Sequence, residues 1–397
     1  MNIKFVIIFI FVSIFWVFIN LLPAQSYHLS EIKGTILDKS TKNPIPQANI
    51  YIAYSIIGSA SNENGEYAIT NLSPGSYTVI VYCVGYDVCK EKIIVKENRV
   101  YKLNFQLDIK IYQLPDIVVQ GEEDEDWQEN FEVFFNQFIG TSTNAEKCKI
   151  LNSSLIELYE QDSGQLIAKI EEPIEIENLS LGYKVLYFLD SFWYDGKSTK
   201  YNGLPVFELL DTTQKSVRNQ WAANRLLTYC GSLRHFLNAA SRDYDAIFTI
   251  NRDDVKSNST LLILKNEGFT VKLIQINDMR FRVFKTTQDV HTPEFIYQAT
   301  DKNEKILSFP ELLQVSYNKK YEDENYHKFL NSNRSVKSPV SQIRLHSLSV
   351  NFDEQGRYYD DFQIETFGYW AFERVADMLP FDYQVSDSTL TNVNLIQ

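Results

Sequence analysis

His291 and Glu294 stand three apart in His-Thr-Pro-Glu, the spacing at which a zinc-dependent hydrolase sets two metal ligands. His327 or His346 would have to supply the third, and a further glutamate would act as base. Pro293 bends the segment, so we read it as a polar loop, with zinc hydrolysis as the alternative. Ser232 and His235 also stand three apart, which puts both on one face of a helix. A nucleophile needs more than this: no Gly-x-Ser-x-Gly elbow and no placed carboxylate accompany them. The plainer reading makes Ser232 a helix cap and lets His235 pack beside Phe236. Asn62, Asn64 and Glu66 offer oxygens for calcium, but such a loop needs more carboxylates, so a turn is expected. Trp193 and Tyr194 could stack on sugar rings, although packing within a hairpin explains them more simply. No glycine-rich phosphate loop of either common type is present among only 15 glycines. We therefore assign no catalytic, cofactor-binding or metal-binding residue and expect no cofactor.

The elements that would position these groups change along the chain. From Glu31 to Leu107 the hydrophobic period is near two. Thr35–Leu37, Ala48–Ile52, Tyr67–Ile69, Tyr77–Val81 and Lys92–Val95 read as strands separated by Gly, Pro, Asn or Ser. That rhythm predicts a sandwich, with Gly65 and Gly75 at turns that favour positive φ. Between Lys110 and Lys147 no Lys or Arg occurs, and Glu122–Asp126 are five consecutive acids. Such a run repels itself and predicts an extended linker, with a cation- or partner-recruiting patch as the alternative.

Beyond the acids the pattern becomes α+β. Trp127, Phe131, Phe134, Phe135 and Phe138 recur at helical spacing. Strands are expected at Leu166–Ile170, Lys184–Leu189, Pro205–Leu210, Thr260–Leu264, Phe269–Ile276, Phe281–Phe284, Phe295–Tyr297 and Leu312–Tyr317. The longest helical stretch follows Ser216, which can cap it, and presents Trp221, Leu226, Leu227 and Tyr229 on one side, with Gly231 breaking it in two. A late strand pair, Gln342–Leu348 and Tyr359–Thr366, precedes a closing helix that ends at Pro380.

The order of the first segment carries a resemblance. IKGTILDKSTKNPIPQANIYI, then SNENGEYAITNLSPGSYTVIVYCVGY, resembles the carboxypeptidase regulatory-like domain over residues 31–110. That resemblance implies a transthyretin-like β-sandwich of the kind found on envelope proteins of Bacteroidetes-type bacteria, and no activity. In zinc carboxypeptidases the catalytic domain precedes this module and the motif continues with an arginine. Here the sandwich comes first and Phe295-Ile296-Tyr297 follows the motif. LPDIVVQG resembles the segment joining such modules to the plug of TonB-dependent receptors, but no plug or series of barrel strands follows. YCGSLRHFL and GYWAFERVADMLPFDY are similar to stretches of uncharacterised exported proteins bearing the same module.

Residues 1–26 read as a secretory leader: Lys4, an apolar run from Phe5 to Leu22, then Ala24 and Ser26. An uncleaved anchor is the alternative, since the run could span a membrane. No second span is expected. A net charge of −13 disfavours nucleic acid and anionic lipid. Cys83 and Cys89 could bridge or simply fill the sandwich, and the pairing of Cys148 with Cys230 stays open. The organisation expected is leader 1–26, sandwich 27–111, acidic linker 112–126 and α+β domain 127–397. This describes a non-catalytic protein exported to the periplasm or outer-membrane surface, with an envelope-protein or glycan partner and an undetermined oligomeric state. A zinc carboxypeptidase-like hydrolase and an accessory of a TonB-dependent uptake system are the alternatives. Limited proteolysis of the exported chain is expected to cut first within residues 117–127, where like charges give the backbone little to pack against. A first cut elsewhere, with this segment intact, would overturn the division into domains.

Overall fold

Apolar side chains alternate with polar ones along most early strands, which obliges them to stack face to face. The computed structural model describes residues 29–110, 125–161, 163–249, 263–279, 282–332, 337–358 and 363–395. The expected leader, the LPDIVVQG segment and most of the acidic run lie outside the described residues. The chain divides into two compact units, one drawn from residues 1–50 and 59–110, the other from residues 51–58 and 111–397.

The first unit carries β1 (Ser30–Asp38), β2 (Asn49–Ile52), β3 (Gly58–Ala60), β4 (Glu66–Leu72), β5 (Gly75–Tyr82), β6 (Cys89–Val95), β7 (Val100–Lys102) and β8 (Phe105–Leu107). One sheet runs β4-β1-β7, with β8 also on β1, and the other runs β3-β2-β5-β6. Ile32, Ile36, Ile50, Ile69, Val79, Val81 and Phe105 are buried, the inner faces of a β-sandwich. Asn62 accepts the backbone N–H groups of Asn64 and Glu66, both at 2.9 Å, and Gly65 has φ +72°, so the proposed calcium oxygens close a turn. All four cysteines are free thiols.

Gly34 marks the point where β1 changes partner. β1 pairs in parallel with β7 up to Lys33 and with β8 from Ile36. Between them Asn104 Oδ1 accepts the Thr35 N–H at 3.0 Å, and the Leu103 carbonyl presses in: a Cβ on Gly34 would sit 1.8 Å from that oxygen.

The second unit begins with α1 (Glu125–Phe138), so Glu125 and Asp126 open a helix rather than end a linker. Its Phe134 and Phe138 stack at 5.1 Å and meet Phe192 and Tyr187 edge-on, which seats the helix on a sheet. That sheet comprises β9 (Cys148–Ile150), β10 (Glu157–Glu160), β11 (Leu166–Lys169), β12 (Ile174–Asn178), β13 (Tyr183–Tyr194) and β14 (Thr199–Leu209), in order β10-β11-β13-β12-β9 with β14 on β13. A second core gathers around α2 (Lys215–Tyr229), α3 (Leu233–Thr249) and α4 (Ile263–Asn266). It packs on strands β15 (Phe269–Met279), β16 (Arg282–Asp289), β17 (Ile296–Gln298), β18 (Glu304–Leu307), β19 (Leu312–Tyr317), β20 (Val340–Leu345), β21 (Val350–Asp353) and β22 (Ile364–Gly368). They form a sheet of order β16-β15-β19-β20-β22 and a smaller one of order β17-β18-β21. The chain closes with the short helices α5 (Tyr326–Phe329), α6 (Tyr369–Phe372) and α7 (Asp387–Asn392). The fold is α+β with an N-terminal β-sandwich.

Several local expectations need correction. Ser216 lies inside α2, whose N-cap is Gln214 in an extended conformation, and Leu227 is exposed on the solvent side. Ile263 and Leu264 are helical, not strand. The expected late pair is present as β20 with β22, but β21, inserted between them in sequence, pairs with β18. The expected closing helix is one turn, Tyr369–Phe372, followed by a 3₁₀ turn at Val375–Asp377.

A polypeptide of residues 27–111 is expected to fold alone as an all-β unit, since two inward faces lie within one segment. Within it Gly34→Ala should cost about 1–3 kcal/mol because backbone must move. Gly85→Ala, at φ +87° with open space around it, should cost only the left-handed strain of roughly 1 kcal/mol. Circular dichroism during urea unfolding checks both. A random-coil spectrum, or equal losses in the two variants, would refute the account.

Candidate functional site

A cavity of about 280 Å³ lies in the second unit, lined by aromatic and aliphatic side chains with four charged residues, Arg234, Glu373, Arg374 and Asp377. Two stretches build most of it. One is the junction of α2 and α3, the other the closing segment from Trp370 to Phe381.

Gly231, at φ +81°, ends α2 and lets the chain turn into α3; a Cβ there would strike the Tyr317 ring at 2.6 Å. Its backbone is used twice over. The Gly231 N–H donates to His235 Nδ1 at 3.0 Å, and the Trp370 indole N–H donates to the Gly231 carbonyl at 2.8 Å. Ser232 Oγ accepts the His235 N–H at 3.2 Å, the cap that starts α3. Because Nδ1 accepts, the ring proton sits on Nε2 and is donated to Glu267 at 3.0 Å. Burial holds the His235 pKa below its ordinary value, although Glu267 opposes this, and the neutral ring fits those bonds. Arg242 then neutralises the buried Glu267 through both carboxylate oxygens.

Arg234 points the other way along α3. Its guanidinium donates to the carbonyls of Gln355, Pro380, Phe381 and Tyr383, fastening the closing segment. Four carbonyl partners leave it little donor capacity for a ligand.

The carboxyl groups of the cavity are also engaged. Asp377 accepts from Ser142 Oγ at 3.0 Å and Asn144 Nδ2 at 2.9 Å. Glu373 faces Lys320 Nζ at 3.6 Å, and Lys320 itself is buried. Burial pushes Glu373 up to about 8 against the pull of Lys320, and pushes Asp377 up to about 6 against its hydrogen bonds. Arg374 differs. Gly140, at φ +105°, makes room for its stem, since a Cβ on that glycine would come 2.9 Å from Arg374 Cβ. Among the described residues no carboxylate or carbonyl pairs with its guanidinium.

The residues singled out from sequence are not assembled into a catalytic centre. His291 is exposed, and its N–H donates to Glu294 Oε1 at 2.7 Å, a local turn. His346 lies 3.3 Å from Glu365 on the β20–β22 ladder, and both ring nitrogens of His327 are buried without a hydrogen-bond partner. Among the described residues no group of three or more His, Cys, Asp or Glu side chains is placed to hold a metal ion. Ser232 and His235 do share a helix end, but the imidazole faces Glu267 and the rings of Tyr229, Phe269 and Tyr317. Trp193 and Tyr194 form the end of β13, paired with β14 and β11, and Lys200 covers the Trp193 ring at 5.2 Å. Glu373, Arg374 and Asp377 escaped the sequence reading. Their signal was three ionisable residues within five positions of the otherwise apolar run YWAFERVADML.

The family model of the CarboxypepD_reg-like domain matches residues 32–119, so the chain carries a carboxypeptidase regulatory-like β-sandwich domain. No curated protein matches the chain. Among solved structures, it is similar over 20% of its length to 40% of the pilus 2b backbone protein of group B streptococcus, at 15% identity and TM-score 0.18. It is similar over 23% of its length to 49% of GBS52, the minor pilin of Streptococcus agalactiae, at 13% identity and TM-score 0.19. Chlorocatechol 1,2-dioxygenase from Pseudomonas putida is matched over 62% of its chain and 22% of this one, at 9% identity and TM-score 0.17. In each case the chain spans less than two thirds of the neighbour's length, and scores of this size define no common overall fold. Among the described residues no helix is long and apolar enough to cross a membrane.

The carboxyl groups make stability depend on pH with a definite sign. Glu373 keeps its proton in the folded state up to about 8, whereas the unfolded chain loses it near 4.5. Between those values the folded state binds the extra proton, so stability falls as pH rises, then levels off. Asp377 contributes in the same direction between 3.8 and about 6. Glu373→Gln should flatten the slope between pH 5 and 8, leaving the wild type to lose on the order of 2–4 kcal/mol more, at ~1.4 kcal/mol per tenfold change in proton affinity. Guanidinium unfolding across that range checks it; parallel curves for the two proteins would contradict the assignment.

Proposed function

We propose that the chain is a non-catalytic exported envelope protein, acting in the periplasm or at the outer-membrane surface. In it a β-sandwich module accompanies a second unit that binds a small ligand or an envelope component. The organisation proposed is leader 1–26, sandwich 27–111, linker 112–126 and binding domain 127–397, of the kind carried by Bacteroidetes-type envelope proteins. The observation that carries this reading is the cavity of the second unit, with its aromatic walls, two partnered carboxyl groups and a guanidinium that no described residue engages. Apolar walls with few convergent polar groups are the usual form of a small-molecule site. A glycan or another envelope protein remains the wider class of partner proposed.

A second reading has its own observation. Glu373 and Asp377 are carboxyl groups lining one cavity, with pKa values pushed up to about 8 and about 6, the separation that acid–base hydrolysis exploits. Two measurements on the purified mature protein divide the readings. Calorimetry against a library of small metabolites and oligosaccharides should give saturable binding without turnover. Elemental analysis should find no stoichiometric zinc, and His291→Ala should leave stability and binding unchanged. Near-equimolar zinc lost in His291→Ala, or turnover abolished by Glu373→Gln, would convert the protein into a hydrolase.

A further inference from the structure

The cavity contains four charged side chains, and three are already committed. Arg234 is tied to four backbone carbonyls, Glu373 to Lys320, and Asp377 to Ser142 and Asn144. Arg374 is left over. Its half-buried side chain lines the cavity and its stem is admitted by Gly140; its backbone N–H donates to Asp377 at 3.4 Å and its carbonyl accepts the Asp377 N–H at 2.9 Å, while among the described residues its guanidinium has no partner. A guanidinium removed partly from water without a counter-charge is costly, and its flat fork is shaped for a carboxylate.

The walls around it set the rest of the ligand. Tyr201, Phe207, Leu233, Tyr358 and Trp370 give flat or branched apolar surface. The Trp370 indole N–H is occupied by Gly231, so that ring offers its apolar surface rather than a donor. One free positive group allows one negative group on the ligand. A dianion would bring a second charge toward the Asp377 carboxylate, which lines the same space.

We propose that this cavity binds a small organic monocarboxylate with an aromatic or branched apolar body, its carboxylate held by the Arg374 guanidinium. The proposal rests on the binding reading above and names the ligand class for the same cavity. Charge-assisted paired hydrogen bonds supply orientation, and burial of the apolar body supplies much of the affinity. The ligand enters and leaves unchanged, so no bond is made or broken.

The test is isothermal titration of the full mature protein with phenylacetate, indole-3-acetate and 4-methylpentanoate, each beside its neutral amide. The carboxylates are expected to bind at least tenfold more tightly than their amides. Arg374→Gln should remove that preference while leaving the amides' weak binding in place. Arg374→Lys should restore part of it, keeping the charge without the fork. Equal binding of acids and amides by the wild type, or an unchanged preference in Arg374→Gln, overturns the carboxylate assignment and leaves the binding reading standing. If neither acids nor amides bind, both fall. Should Arg374→Gln fail to fold, the acid–amide comparison on the wild type and the Arg374→Lys variant decide the matter.

Discussion

The closing segment from Trp370 to Tyr383 can be buried only if its polar groups find partners, and that constraint organises the second unit. Trp370 and Leu390 belong to the core around α3, while Val375 and Ala376 belong to the core beneath α1. In crossing from one to the other the segment brings Glu373 and Asp377 inside. Each is answered from a distant part of the chain: Asp377 by Ser142 and Asn144, Glu373 by Lys320. The backbone is answered too, with Ala376 donating to Ile139 at 3.0 Å and accepting from Asn178 at 2.9 Å. Buried polar groups without such partners would cost more than the apolar burial returns. The cavity is what remains where the two cores meet and the segment does not fill the space.

The junction of α2 and α3 solves a related problem with one glycine. Gly231 turns the chain and offers both its N–H and its carbonyl to side chains, His235 and Trp370. His235 therefore serves as a bridge from that turn to Glu267 and Arg242, an ordered polar thread through an aromatic interior. Networks of this kind are stiff when every member is satisfied. It explains why a Ser and a His at suggestive spacing are absorbed by architecture.

Much of the sandwich was legible from residues alone, because alternation and turn chemistry are local. Asn62 and Gly65 announce their turn within five positions, and β1, β4 and β5 fall where the period of two sets them. Gly34 reads as an opening glycine, but its reason, the Leu103 carbonyl nearly seventy residues later, is not in its neighbourhood. In the second unit α1 was plain from its aromatic spacing, as was the break at Gly231. The boundaries after Asn266 were harder. β21 sits between the paired strands β20 and β22 in sequence yet joins another sheet, and periodicity carries no information about partners. The cavity was least legible. The stretches YCGSLRHFL and GYWAFERVADMLPFDY both line it, but only the fold shows that they meet, or which of their arginines is spent on backbone and which has no partner among the described residues.

The distance along the chain between partners has a kinetic meaning. Ser142 and Asp377 are separated by 235 residues, and Arg234 reaches the Pro380 carbonyl across 146. Contacts of such span form only after the intervening chain has been confined, so the entropy of closing that loop is met before the bonds return anything. A ribosome delivering the chain from its N-terminus would release the sandwich strands long before residue 380 appears. The second unit must then wait, with the inner faces of two cores exposed, for the Trp370–Tyr383 segment to arrive. That segment acts as a latch, and the interval before it closes is when the nascent protein is most open to aggregation or to a holding chaperone.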